Sequence, residues 1–380
     1  YNGTTDTDLS ITGVSSSDLS QVWLFKKRAF FVEENTMSAW YLGSEAIGGT
    51  ATEFKLGAIF KKGGSLLFGA NWSLDSGAGL DGKCVFVTDQ GEVAIYSGTN
   101  PASASTWGLE GVYQIGEPLD KHAHFSLGGE LMVITRDGIL PISRAIAQDY
   151  SALVASAFTA PIETDWRLNI SESTLAAPIA TAIWHSRGQF IASTSERADA
   201  QPVCYVANSR TSAWSRYLGW DVYSITVFND GLYFCDNDGI VFQGEIGGTD
   251  DGTAYTGYFV PAFSDMGVDG VKYTNHAQLI CRSSVNVTYG VKVFRNGEVG
   301  EMSAPATLPD PPGTSVWGTA VWGSFQWGGS DALKSREKWK GAPGHGTFIS
   351  PGITVGSNST AAPSFEIVSL RIRFEVGAVL

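Results

Sequence analysis

Positive charge is scarce in this chain. Its 380 residues carry 25 lysines and arginines against 38 aspartates and glutamates, a net charge of −13. A protein that grips nucleic acid needs clustered cations to neutralise phosphates, and an acidic surface repels them. No run of 18 or more apolar residues occurs, so no helix long enough to cross a bilayer is encoded and no membrane insertion is expected. Cysteine is sparse too. Cys84, Cys204, Cys235 and Cys281 are widely spaced inside strand-like runs and form no CxxC pair. They read as buried reduced thiols, with a disulfide between neighbouring sheets as the alternative. Long helical apolar spacing is missing, as are G-x-S-x-G, H-E-x-x-H and a Walker loop. No cofactor and no enzymatic activity are expected from these absences.

Glycine and aromatic residues are what the chain has in quantity: 45 Gly, 12 Trp, 13 Tyr and 20 Phe, with only 17% charged residues. Gly-rich turns between aromatic and β-branched runs favour an all-β protein. A two-stranded pattern recurs. Ala29–Val32 precedes Ala39–Leu42, Cys84–Val87 precedes Val93–Tyr96, and Leu131–Ile134 precedes Ile139-Leu140. Phe190–Ala192 before Cys204–Val206, and Leu232–Cys235 before Ile240–Phe242, complete the series. Taking Phe30, Val85, Met132, Phe190 and Tyr233 as equivalent, the steps are 55, 47, 58 and 43 residues. Periods of roughly fifty residues with four short strands per unit are those of β-propeller blades, so at least five blades are expected. Ser105-Thr106-Trp107 and Ser212-Ala213-Trp214 each introduce a further outer strand. A Trp at equivalent positions wedges between adjacent sheets, or, as the functional alternative, offers a platform for sugar stacking. Ile142–Ala157 has mild helical spacing, and Pro161, Pro178 and Ser171–Thr174 mark a surface excursion.

From about Gly252 the character changes, which divides the chain into a propeller over 1–250 and a β-rich domain over 251–380. Val285, Val287, Tyr289, Val291 and Val293 alternate before the turn Asn296-Gly297, as in a half-buried antiparallel strand. Pro305–Gly313 reads as a connector. Trp317, Trp322 and Trp327 then recur every five residues, fitting successive turns that each place one Trp on a common surface. These three are the candidate interface residues. Strands at Thr347–Ile349 and Ile367–Val376, with Val368, Leu370, Ile372 and Phe374 on one face, suggest a sandwich-like second domain.

Chemistry-bearing patterns are few. Ser73-Leu74-Asp75-Ser76-Gly77 matches the S-x-D-x-G core of an Asp-box, but no Trp follows at the required spacing and no second copy exists. Asp89, Asp137, Asp230, Asp236 and Asp238 fall in turns, where Asp accepts backbone N–H groups. Glycoside hydrolysis needs two convergent carboxylates, and none can be picked out. Asp236-Asn237-Asp238-Gly239 and Asp250-Asp251-Gly252 resemble the start of a calcium loop but lack the later Glu. His122 and His124 would share a face of a strand and supply two metal ligands, without a third. No metal site is assigned.

The order of several segments resembles one family. Lys26–Val32 leads to Trp40-Tyr41-Leu42 and Ile47-Gly48-Gly49. Phe60–Gly64 is followed by Trp72, Asp75-Ser76-Gly77, Gly79-Leu80-Asp81 and Val85–Thr88. Gly91–Pro101 with Trp107, Thr135–Ser143, Thr211–Trp214 and the repeated Trp-Gly steps continue it. Nearly the whole chain is similar to the tail-nozzle, or tail-tube and stabilisation, proteins of short-tailed bacteriophages. That resemblance implies a non-enzymatic virion component located in the tail, a homo-oligomeric ring, usually hexameric, below the portal and adaptor. It implies contacts with other tail proteins and genomic DNA only as non-specific cargo in transit. Those proteins are longer at the N-terminus, so Tyr1–Thr4 is expected to continue a strand begun upstream. An acidic wall that lets DNA slide is compatible with this reading. The rival readings are a carbohydrate-binding or receptor-recognition propeller and a glycan-cleaving enzyme.

Overall fold

The computed structural model describes residues 10–75, 80–172, 178–194, 201–283, 288–300, 306–307, 334–357 and 365–377. The protein is all-β apart from a helical insertion. It divides into two compact units, Tyr1–Gly244 and Glu245–Leu380.

The first unit holds five antiparallel sheets in chain order, with a two-stranded parallel pair, Ile11–Thr12 and Gly49–Thr50, beside the first. The first holds Leu19–Phe25, Arg28–Glu33, Ser38–Tyr41 and Thr52–Lys55. The second holds Leu66–Asp75, Leu80–Thr88, Glu92–Gly98 and Trp107–Gln114. The third, His124–Leu127, Glu130–Thr135 and Gly138–Pro141, has three strands. Thr181–Trp184, Gln189–Thr194, Val203–Asn208 and Trp214–Leu218 form the fourth. Ser224–Phe228, Gly231–Cys235 and Val241–Gly244 form a three-stranded fifth. Four strands in every repeat were expected, so the third and fifth sheets depart from the pattern.

The sheets pack face to face in chain order, as propeller blades do. Phe30, Val32, Phe86 and Tyr96 fill the layer between the first and second sheets. Val85, Val87, Val133 and Leu140 fill the next layer. Ile134, Ile139, Phe190 and Tyr205 join the third sheet to the fourth, and Ile191, Cys204, Leu232 and Phe234 join the fourth to the fifth. Both faces of these strands are buried, which is why their sequences are continuous apolar runs rather than alternating ones. Trp107 lies between the first two sheets, its ring centroid 5.4 Å from Tyr96 and 6.2 Å from Phe30. Trp214 plays the same part against Phe158, at 5.0 Å. Each is the first residue of its outer strand.

One close approach fixes the junction of the first two sheets. The Gln21 side chain donates to Gly69 O at 3.0 Å and accepts from Gly69 N at 2.7 Å, acting as a one-residue strand partner. A Cβ on Gly69 would lie 2.3 Å from the Trp23 ring, so only glycine fits.

The missing strand of the third sheet is replaced by helices at Ile142–Ala147, Tyr150–Ala155 and Glu163–Glu172. Asp149 caps the second by accepting from Ala152 N at 2.9 Å. The third helix lies where the sequence suggested only a surface excursion. Trp166 is fully buried and donates to Thr135 O at 3.2 Å, while Asp165 accepts from Tyr205 Oη at 2.9 Å and pairs with Arg216 at 2.8 Å.

The second unit is a two-layer sandwich. One layer orders its strands Tyr255–Phe259, Ile349–Ser357, Thr288–Arg295 and Ala306–Thr307. The other places Lys272–Ser283 between Lys334–Gly346 and Phe365–Val376. Ala277, Leu279, Cys281, Tyr289, Val291, Ile349 and Ile353 form the core between them. Two cations brace the sandwich. Lys272 is fully buried, and its Nζ donates to the carbonyls of Val268, Gly270 and Thr347 at 2.6, 3.1 and 2.9 Å. Arg295 donates to Val293 O, Thr274 Oγ1, Ala342 O and Pro343 O, pinning an irregularity in the Lys334–Gly346 strand. Gly344 sits there at φ +146°, and a Cβ would fall 2.3 Å from the Arg295 guanidinium.

Candidate functional site

The residues singled out by the sequence meet mixed fates. Trp317, Trp322 and Trp327 lie outside the described residues, as do Ser76 and Gly77 of the Asp-box pattern and Val285 and Val287. His122 and His124 do not form a ligand pair. His122 precedes the strand, in a turn where its backbone N–H is held by Asp120 and its Nδ1 lies 3.8 Å from that carboxylate. His124 instead stacks on Phe68, centroids 4.4 Å apart and rings 9° from parallel. Burial lowers its pKa to about 4.

Turn acids split into two kinds. Asp236 accepts from the N–H groups of Asp238 and Ile240 at 3.0 and 2.8 Å, as turn-forming aspartates do, whereas Asp89 reaches across to both the N–H and the hydroxyl of Ser65, at 3.0 Å each. Asp137 and Asp230 bind side chains instead. Asp137 takes the Tyr150 hydroxyl and lies 3.3 Å from Arg167, while Asp230 takes Trp184 Nε1 at 2.9 Å and the Ser186 hydroxyl. Those hydrogen bonds, Ser186 foremost, lower the Asp230 pKa. None of the four cysteines is in a disulfide, and burial raises the thiol of Cys204 to about 12.

Among the described residues no group of three His, Cys, Asp or Glu is placed to hold a metal. The first strands of the five sheets carry a single acid, Asp75, so a carboxylate pair in the first unit has to come from elsewhere than these strands.

A concentration of exposed aromatic and polar groups does occur in the second unit. Along the Lys272–Ser283 strand, Ala277, Leu279 and Cys281 point into the core, so Gln278 and Ile280 lie on the opposite face. Register then fixes their neighbours. Gln278 stands between Trp339 and Arg371, His276 between Gly341 and Arg373, and Tyr273 between His345 and Glu375. Trp339 is 45% exposed and Tyr273 50%, on strands long enough to make a broad sheet surface. The Arg373 guanidinium lies 5.3 Å from the Trp339 ring centre and restrains the indole. Tyr273 and His345 rings are 5.9 Å apart. Beside Trp339 the strand carries Gly341, and a Cβ there would meet nothing within 4 Å, which leaves a step in the surface.

Gln278 is only 6% exposed, yet among the described residues its Oε1 has no partner, and the Ser369 hydroxyl in the next row is likewise unpartnered there. A buried carbonyl left unpaired costs about 1–3 kcal/mol. Such an atom lies in one row with an exposed indole and an arginine, and a ligand donor that parts the side chains closing over it would satisfy it. Sequence reasoning missed this face. Its one signal was the alternation Arg371, Arg373, Glu375 opposite the apolar Leu370, Ile372 and Phe374.

No family model matches the sequence, and no curated protein matches it. Among solved structures the chain is similar to a glycoside hydrolase family 43 arabinoxylan arabinofuranohydrolase from Bacillus subtilis, determined in complex with cellotetraose. The match covers 93% of this chain and 95% of that one at 10% identity, with a TM-score of 0.28. A likeness of that strength assigns neither activity nor substrate.

No family model and no curated protein supports a phage tail nozzle or DNA conduit, and the similar solved structure is described as a glycoside hydrolase. The tail-nozzle function is withdrawn, and so is the expectation that the chain is not an enzyme. The hexameric ring, its tail-protein contacts and its virion location drew only on the resemblance in sequence.

Proposed function

We propose that this chain is a carbohydrate-recognition protein. Five propeller-like sheets make up its first unit, and its sugar-binding face is the outer surface of the Lys334–Gly346, Lys272–Ser283 and Phe365–Val376 sheet. The observation that carries this reading is the row Trp339, Gln278, Arg371: an exposed indole, a buried amide oxygen without a partner among the described residues, and an exposed guanidinium. Sugars present an apolar C–H face and a rim of hydroxyls. An indole offers a large flat surface to the first, and amide and guanidinium groups serve the second. The scaffold is rigid, because Arg295, Gly344 and Lys272 hold the strands from behind.

This places recognition on the sandwich rather than on the Trp residues of the sheets in the first unit. Trp107 is buried between sheets and Trp214 is half-buried, so neither is an open platform.

A glycan array probed with the full chain tests the proposal. Binding to a defined set of oligosaccharides, lost in Trp339→Ala and kept in Phe228→Ala, is the expected result. Trp339→Ala binding as the parent does, or no glycan retained at all, would overturn it.

A further inference from the structure

The charge on this face narrows the ligand. In a chain with net charge −13, Arg371 and Arg373 stand two residues apart on one strand face, both exposed. Among the described residues no carboxylate pairs with either, whereas Arg282 on the same sheet has Glu366 at 3.6 Å. Arg373 is engaged by the Trp339 ring. Arg371 is presented on the opposite side of Gln278 from Trp339, two strand spacings or about 10 Å across the sheet. Unpaired guanidinium groups are donors in a planar fork that matches a carboxylate bidentately.

Resting on the glycan reading above, we propose that the ligand is a uronic-acid-containing oligosaccharide. A pyranose stacked flat against the Trp339 indole holds an equatorial carboxylate in the plane of its ring, at the height of the neighbouring side chains. Arg371 receives that carboxylate, and a ring hydroxyl donates to Gln278 Oε1 as the side chains closing over that atom part. No bond is made or broken in this step; the pairing is electrostatic. The negative field of the whole chain does not prevent it, because charges further away than about 10 Å are screened at ordinary ionic strength.

Isothermal titration of the full chain with an oligogalacturonate and with its fully methyl-esterified form separates the possibilities. The ester keeps the sugar rings and removes the charge. The acid is expected to bind about tenfold or more tightly than the ester, the size of one charge-assisted contact. Arg371→Gln should bring the acid down to the ester's affinity without shifting the melting temperature, and Arg371→Lys should fall between.

Equal affinity for acid and ester would overturn this inference while leaving glycan recognition standing. No binding of either form, nor of any sugar on the array, would remove both. Competition by a single-stranded oligonucleotide as effective as the uronate would show that charge alone is read, and would also overturn it. Preference for a sulfated neutral sugar over the uronate would reject the carboxylate assignment.

Discussion

Single side chains carry the sharpest consequences of this structure. His124 is pressed against Phe68 between the second and third sheets, with Nδ1 lacking a protein partner. Its pKa falls from 6.5 to about 4, chiefly through burial and secondarily through His122. Above pH 6.5 the histidine is neutral whether folded or not and contributes no pH dependence. Between 6.5 and 4 the unfolded chain takes up a proton that the folded chain refuses, so stability falls as pH falls. The loss approaches on the order of 3 kcal/mol near pH 4 and then levels off. Melting temperature followed across that range should drop in the parent and drop less in His124→Phe. Identical profiles would exclude His124 as the cause. Gly69 is a second such position. Gly69→Ala drives a methyl group into the Trp23 ring and should cost about 1–3 kcal/mol in urea unfolding.

Among secondary-structure elements, the helix Glu163–Glu172 makes the clearest prediction. It is held chiefly by Trp166 and Ile170, both buried, while its ion pairs are exposed and contribute at most about 1 kcal/mol each. Trp166→Ala should cost about 3–5 kcal/mol, and Arg216→Ala far less, by chemical denaturation. The same helix marks a limit on what the sequence discloses. Its buried side chains are Trp166, Ile170 and the polar Asn169, and Leu168 is 51% exposed, so no apolar stripe appears. The strands of the first unit were legible for the opposite reason, since burial on both faces writes an apolar run that any turn residue delimits.

Val368 shows a second kind of failure. Alternation placed it with Leu370, Ile372 and Phe374, but an irregularity in pairing between Ile280 and Cys281 intervenes, and Val368 is 48% exposed. The Lys334–Gly346 strand was not legible at all. Gly341, Pro343, Gly344 and Gly346 are poor strand formers, and the strand forms because a twelve-residue partner and the Arg295 guanidinium hold it. With that strand unseen, Trp339 and hence the candidate site stayed hidden. Lys272 behind it supplies a further test. Lys272→Met leaves three carbonyls without their donor and should lower stability by several kcal/mol, each unpaired buried group costing about 1–3. A change below about 1 kcal/mol would contradict the bracing role.

For the molecule as a whole, an acidic chain presents one sheet face with an indole, two arginines and an unpaired amide oxygen. Trp107 and Trp214 of the first unit pack against the layers beside them, whereas the sandwich turns Trp339 and Tyr273 outward. That division is the basis for assigning recognition to the second unit. The most direct measurement is the affinity of the full chain and of Trp339→Ala for the best oligosaccharide found on an array, taken by calorimetry together with both melting temperatures. Removing the indole should weaken binding by about 2 kcal/mol, roughly thirtyfold, as loss of a central aromatic anchor does, with the melting temperature unchanged. Equal affinities for the two proteins would contradict glycan recognition at this face.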